Sequence, residues 1–148
     1  MNKKGFTLVE LLAVIAILAI LVIIALPNVM GLFQDAKKSA FRTEMADLVK
    51  GAQTEWMKDQ FSTAASEKTY QDGTNVKLST MDVRSDLHYK IKISVDGKVT
   101  SVQFYDGSYC YKKAPGQNET LDLKAKDLKG VNDNEILVYD ENNDACKF

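Results

Sequence analysis

Glu10 is an ionisable side chain inside an apolar run, Phe6 to Leu26 (FTLVELLAVIAILAILVIIAL), interrupted otherwise only by Thr7. A carboxylate at membrane depth costs about 3 kcal/mol, so it calls for a partner. The nearby basic residues are Lys3 and Lys4, which precede the run. A cut between Gly5 and Phe6 would create a cationic amine at Phe6, one helical turn from Glu10. That amine could pair with the carboxylate of the same chain or of a neighbour. The chemistry open to these residues is charge pairing in apolar surroundings. The competing reading is an incidental glutamate near the membrane interface, its charge tolerated by snorkelling.

Other reactive side chains are sparse. No nucleophile–base pair, phosphate loop or metal constellation is present, so neither catalysis nor a cofactor is expected, and no metal site. His88 opens an alternating segment and reads as a surface or packing residue. The tail Asp140-Glu141-Asn142-Asn143-Asp144 has oxygen ligands at alternating positions, like the start of a calcium loop. It lacks the glycine and later bidentate glutamate of such a loop, and a solvated polar turn is the simpler reading. Cys110 and Cys146 are too far apart for a compact thiolate metal motif. In an exported domain they read as a disulfide, with two buried free thiols as the alternative.

Export follows from the apolar run. As a helix its residues would span roughly 31 Å, a bilayer core. Lys3, Lys4 and the α-amine on one side keep the amino end in the cytoplasm and send the remainder out. A secretory signal peptide fits poorly, because the run is too long, carries an acid, and passes into Leu26-Pro27-Asn28 without a small-residue cleavage site. With 148 residues there is room for one domain plus an appendage, and 19 basic against 20 acidic residues give no nucleic-acid-binding surface.

Lys3-Lys4-Gly5, then Phe6-Thr7-Leu8-Val9-Glu10, then a continuous apolar helix with Pro27 near its end, resembles the signal sequence of type IV pilins. The resemblance covers about the first 30 residues; the remainder agrees in architecture. It implies a leader, 1–5, removed after Gly5 by the prepilin peptidase, with the new terminus, Phe6, then methylated. It implies that Glu10 neutralises the Phe6 amine of an adjacent subunit as the helix leaves the lipid for a filament core, which sets axial register. An unpaired buried carboxylate is destabilising, so only a packing that delivers an amine to it is tolerated. The implied partners are sibling subunits in a helical filament, the prepilin peptidase, and an inner-membrane platform driven by an ATPase. The expected function is a structural subunit, a major-type pilin serving adhesion or motility; the alternative is a pseudopilin of type II secretion or DNA uptake. The expected location is a single-pass membrane protein before assembly and an extracellular pilus after it.

The elements that must carry these residues follow from periodicity. Val29, Leu32, Phe33, Ala36, Ala40, Met45, Leu48, Val49, Ala52 and Trp56 recur at spacings of three and four, so the helix continues beyond the 6–27 segment to about Phe61 with one apolar stripe. Pro27 and Gly31 are its weak points, where a kink or local melting is expected. Residues 62–87 read as a connecting loop with one short element at most. From His88 the period becomes two: HYKIKISV, Asp96-Gly97, KVTSVQFY, Asp106-Gly107, SYCYKK. Two-residue turns would pair Ile93 with Thr100, Ile91 with Val102, Tyr89 with Phe104, Phe104 with Tyr109 and Val102 with Tyr111. That register turns an apolar face to the helix and sets Cys110 on the opposite face with Gln103. A short helix over 121–129 and a fourth strand over 135–140 complete the disulfide-bounded region, which also resembles the pilin pattern. The expected fold is α+β: a long helix, half membrane-spanning and half amphipathic, packed on a small antiparallel sheet of 3–4 strands, with 28–148 as the globular part.

Overall fold

The computed structural model describes residues 5–61, 66–74, 76–79, 81–116, 121–143 and 146–147. The elements are α1 (Leu8–Gln60), β1 (Lys68–Gln71), β2 (His88–Ile93), β3 (Val99–Tyr105), β4 (Tyr109–Lys113), α2 (Ala125–Lys129) and β5 (Leu137–Val138). The strands form one antiparallel sheet in the order β1-β2-β3-β4-β5. The α+β class is as expected, but the sheet has 5 strands rather than 3–4. The additional one, β1, lies where a connector was expected: KTYQ is short and buries only Tyr70, which leaves no alternation to detect. β5 is shorter than the 135–140 segment, and α2 begins at Ala125 rather than Leu121. The approach to α2 is extended instead, with Leu123 N–H donating to Val99 O at 3.0 Å.

The chain divides into two units, Met1–Lys37 and Lys38–Phe148. In the first, α1 passes through Pro27 and Gly31 without leaving the helical state. Its apolar side chains, from Leu8 to Phe33, are all exposed. In the second, Phe41, Met45, Leu48, Val49 and Ala52 of α1 share a core with Tyr89, Ile91, Ile93, Val102, Phe104 and Tyr111 of the sheet, closed by Leu123, Leu128, Val131 and Ile136. The apolar stripe is thus covered only from Phe41 onward, and Val29, Leu32 and Phe33 stay exposed. Phe41, which the stripe omitted, is fully buried and packs its ring 6.2 Å from that of Tyr109. Periodicity gives the phase of an apolar face but not the length of it that a sheet will cover.

Register is as expected in the middle of the β2–β3 pair and differs from the expectation at and beyond the turns. Ile91↔Val102 and Tyr89↔Phe104 pair as expected. Ile93 instead pairs with Val99 across a bulge, because the first loop is longer: Ser94 N–H donates to Lys98 O and Gly97 N–H to Ser94 O, with Gly97 at φ 80°. This is the three-residue loop closed by a left-handed glycine, and it puts Val99 rather than Thr100 against Ile93 in the core. At the second turn Asp106 Oδ1 accepts the N–H groups of Ser108 and Tyr109, at 3.0 and 2.7 Å, so Gly107 and Ser108 form the turn. Phe104 then pairs with Tyr111 and Tyr105 with Cys110, in place of Phe104–Tyr109 and Val102–Tyr111. This second shift is by two residues, so the side chains of β4 keep their expected faces.

The last turns of α1 are tied to the sheet edge by a polar cluster. The Tyr70 hydroxyl donates to Asp59 Oδ2 at 3.0 Å, and the Lys68 ammonium bonds to the same oxygen. Lys68, with Tyr70 assisting, holds the Asp59 carboxyl below the usual carboxylate range.

Candidate functional site

Gly5, Phe6 and Thr7 precede the first turn of α1 and are exposed, Phe6 at 87%. The Gly5–Phe6 peptide bond is therefore non-helical and accessible, as a protease needs of a bond it must hold extended. Residues 1–4, including Lys3 and Lys4, lie outside the described residues.

Thr7 caps the helix, and it does so with Glu10. The Thr7 hydroxyl oxygen accepts the Glu10 N–H at 3.3 Å, and Glu10 Oε2 accepts the Thr7 N–H at 2.8 Å. The Thr7 hydroxyl also lies 2.8 Å from the same carboxylate oxygen. This reciprocal capping box satisfies donors that a helix start leaves open, and it sets an acid in the first turn, where the helix dipole favours it. Sequence reading singled out Glu10 and its neighbour Phe6 but not Thr7, although the Thr-x-x-Glu spacing at positions 7–10 was the signal for it. The structure brings Glu10 to Thr7; the Phe6 nitrogen here is still part of the peptide chain. Because the carboxylate is held by its own turn, it sits at a fixed place at the head of the helix.

Behind this head, α1 contains a stretch long and apolar enough to cross a membrane, with mean hydropathy 3.2 over its most apolar 18 residues. An N-terminal apolar helix of this kind is compatible with a membrane-anchored precursor.

Cys110 and Cys146 form a disulfide, with Cα atoms 5.2 Å apart at a sequence separation of 36. Cys110 lies on the sheet face opposite the helix, as the register required, and is buried beneath the tail it retains. Gln103 on the same face donates its side-chain N–H to Lys147 O, which fastens the tail a second time. Asp140 Oδ1 accepts Asn142 N–H at 2.9 Å, the polar turn expected of this acidic stretch; Asp144 lies outside the described residues. Among the described residues no group of three metal-ligating side chains converges.

Residues 1–26 match the family described as the prokaryotic N-terminal methylation motif. No curated protein and no solved structure matches the chain. The motif implies processing by a prepilin peptidase and delivery to an assembly machinery, and it supports a type IV pilin-like or pseudopilin protein. At the head of a long helix packed on an antiparallel sheet, the layout of the pilin fold, residues 1–26 carry the leader signature of type IV pilin precursors.

Proposed function

We propose that the chain is a structural, non-enzymatic subunit of a type IV pilus, of the major type, cleaved after Gly5 and methylated at Phe6. The observation that carries this reading is the leader motif over residues 1–26 with Glu10 fixed in the first turn of a helix whose apolar side chains from Leu8 to Phe33 are exposed. An apolar surface of that length is stable only in lipid or against other helices, so membrane storage followed by helix-to-helix assembly accounts for both environments. In the filament Glu10 meets the Phe6 amine of an adjacent subunit. Smooth Leu and Ile surfaces would slide past one another, and a buried charge pair selects one register, as polar residues do in coiled coils. Pro27 and Gly31 supply the place where the packed helix bends or loosens.

The test is intact mass and N-terminal sequencing of material sheared from cells that express the chain. An N-methylated Phe6 terminus, two hydrogens light for the disulfide and recovered in the sheared filament fraction, is the expected result. A processed chain retained in the envelope would favour the pseudopilin reading. An intact Met1 terminus confined to membranes would overturn both.

A further inference from the structure

On the sheet face opposite the core, cross-strand pairing sets His88 beside Tyr105 and Tyr105 beside Cys110. The His88 ring stacks on Tyr105 at a centroid distance of 5.5 Å, and Tyr105 stacks on Tyr139 at 4.6 Å, so three rings form one continuous wall. Facing it is Asp72, in the turn after β1. Its Oδ1 accepts Tyr89 N–H at 3.0 Å, its Oδ2 lies 2.5 Å from His88 Nδ1, and its own N–H donates to Tyr89 O. The carboxylate is thus immobilised before any ligand arrives. Gln71, Asp72, His88, Tyr105 and Cys146 line an open cavity of about 360 Å³, within the range of small-ligand sites.

The chemistry of this cavity is that of binding. Its sulfur is committed to the disulfide, and no serine, threonine or free thiol stands beside the imidazole among the described lining residues. A fixed carboxylate disfavours an anionic ligand. An aromatic wall next to a carboxylate and an amide suits a molecule with one apolar face and several hydroxyls, because the ring surface packs against C–H groups while Asp72 and Gln71 take the O–H donors. We propose that this cavity binds a neutral pyranose ring of a glycan, with Tyr105 and His88 as the wall and Asp72 and Gln71 as the hydroxyl partners. The proposal does not depend on how the chain is processed or assembled.

The test is an NMR titration of the ¹⁵N-labelled full chain in detergent micelles with methyl galactoside, methyl mannoside and N-acetylglucosamine, with choline and phosphate run in parallel. At least one sugar is expected to give saturable shifts confined to the amides around Gln71, Asp72, His88 and Tyr105, with Kd on the order of 1 mM for a single ring. Asp72→Asn should weaken this about tenfold or more. Gln71→Ala, at the sheet edge, should weaken it as well while leaving the remaining spectrum unchanged, which separates lost binding from lost fold. Saturation by choline or phosphate alone, shifts scattered elsewhere, or no saturable shift with any sugar would overturn the proposal.

Discussion

At the scale of single residues, Glu10 has two separable roles, because its carboxylate serves the capping box as a hydrogen-bond acceptor and the proposed assembly as a charge. Glu10→Gln retains an acceptor for Thr7 and removes the charge, whereas Glu10→Ala removes both. Both variants should be cleaved and inserted, and both should lose filament incorporation, measured as the ratio of sheared to cell-bound subunit. Normal incorporation of Glu10→Gln would show that the charge is dispensable. Asp59 offers a second test, in the globular unit. Its carboxyl is held low chiefly by Lys68, so the stability it contributes is present above its unfolded-state value and lost as pH falls through its folded one. Asp59→Asn should lower stability by about 1 kcal/mol at neutral pH, since Tyr70 and Lys68 lose a charged acceptor at a partly exposed site. The variant should also show a shallower acid limb in thermal melts between roughly pH 5 and 3, and an unchanged limb would remove Asp59 from that role.

At the scale of elements, the β2–β3 turn shows how a loop sets a core. Gly97 has φ 80°, and a Cβ there would lie 2.9 Å from the Trp56 ring of α1. Gly97→Ala should therefore cost on the order of 2 kcal/mol, through a strained backbone and a displaced Trp56 together. Denaturant unfolding would measure it, and a neutral result would mean that the hairpin can re-form with a different loop. The same turn marks how far the sequence could be read. The alternation of HYKIKI and VTSVQFY placed two central strands and their inward residues, because a half-buried strand writes its environment into its own pattern. Loop length was not legible from Asp96-Gly97, because the choice between two and three residues was settled by Val99 reaching Ile93, a contact visible only once the core exists. β1 was illegible for a related reason: four residues with one buried side chain take their strand state from β2, not from themselves. At the head of the chain the leader motif was legible directly, since it is local in sequence, and the roles of Gly5, Phe6 and Glu10 within it belong to the proposed function. The cavity beside His88 was missed, because it gathers Gln71, Asp72, Tyr105 and Cys146 from separate elements.

At the scale of the whole molecule, the disulfide is the single covalent tie across the globular unit among the described residues. Closing 36 residues, it should contribute about 4 kcal/mol by restricting the unfolded chain. The double variant Cys110→Ser, Cys146→Ser should accordingly melt well below the parent, and reducing agent should lower the parent's midpoint towards the variant's while leaving the variant unmoved. A parent midpoint insensitive to reduction would indicate that Gln103 and the tail packing hold the region by themselves. The strand order β1-β2-β3-β4-β5, which follows the order of the sequence, has a consequence for how the domain is made. In a chain whose amino end stays on the near side of a membrane while the residues beyond α1 cross in sequence order, each emerging strand finds its neighbour already waiting as an open edge, and no strand must be held in reserve for a distant partner. The sheet can grow in the direction of translocation, one hairpin at a time, and Cys146, emerging after the last strand, meets a Cys110 already in place.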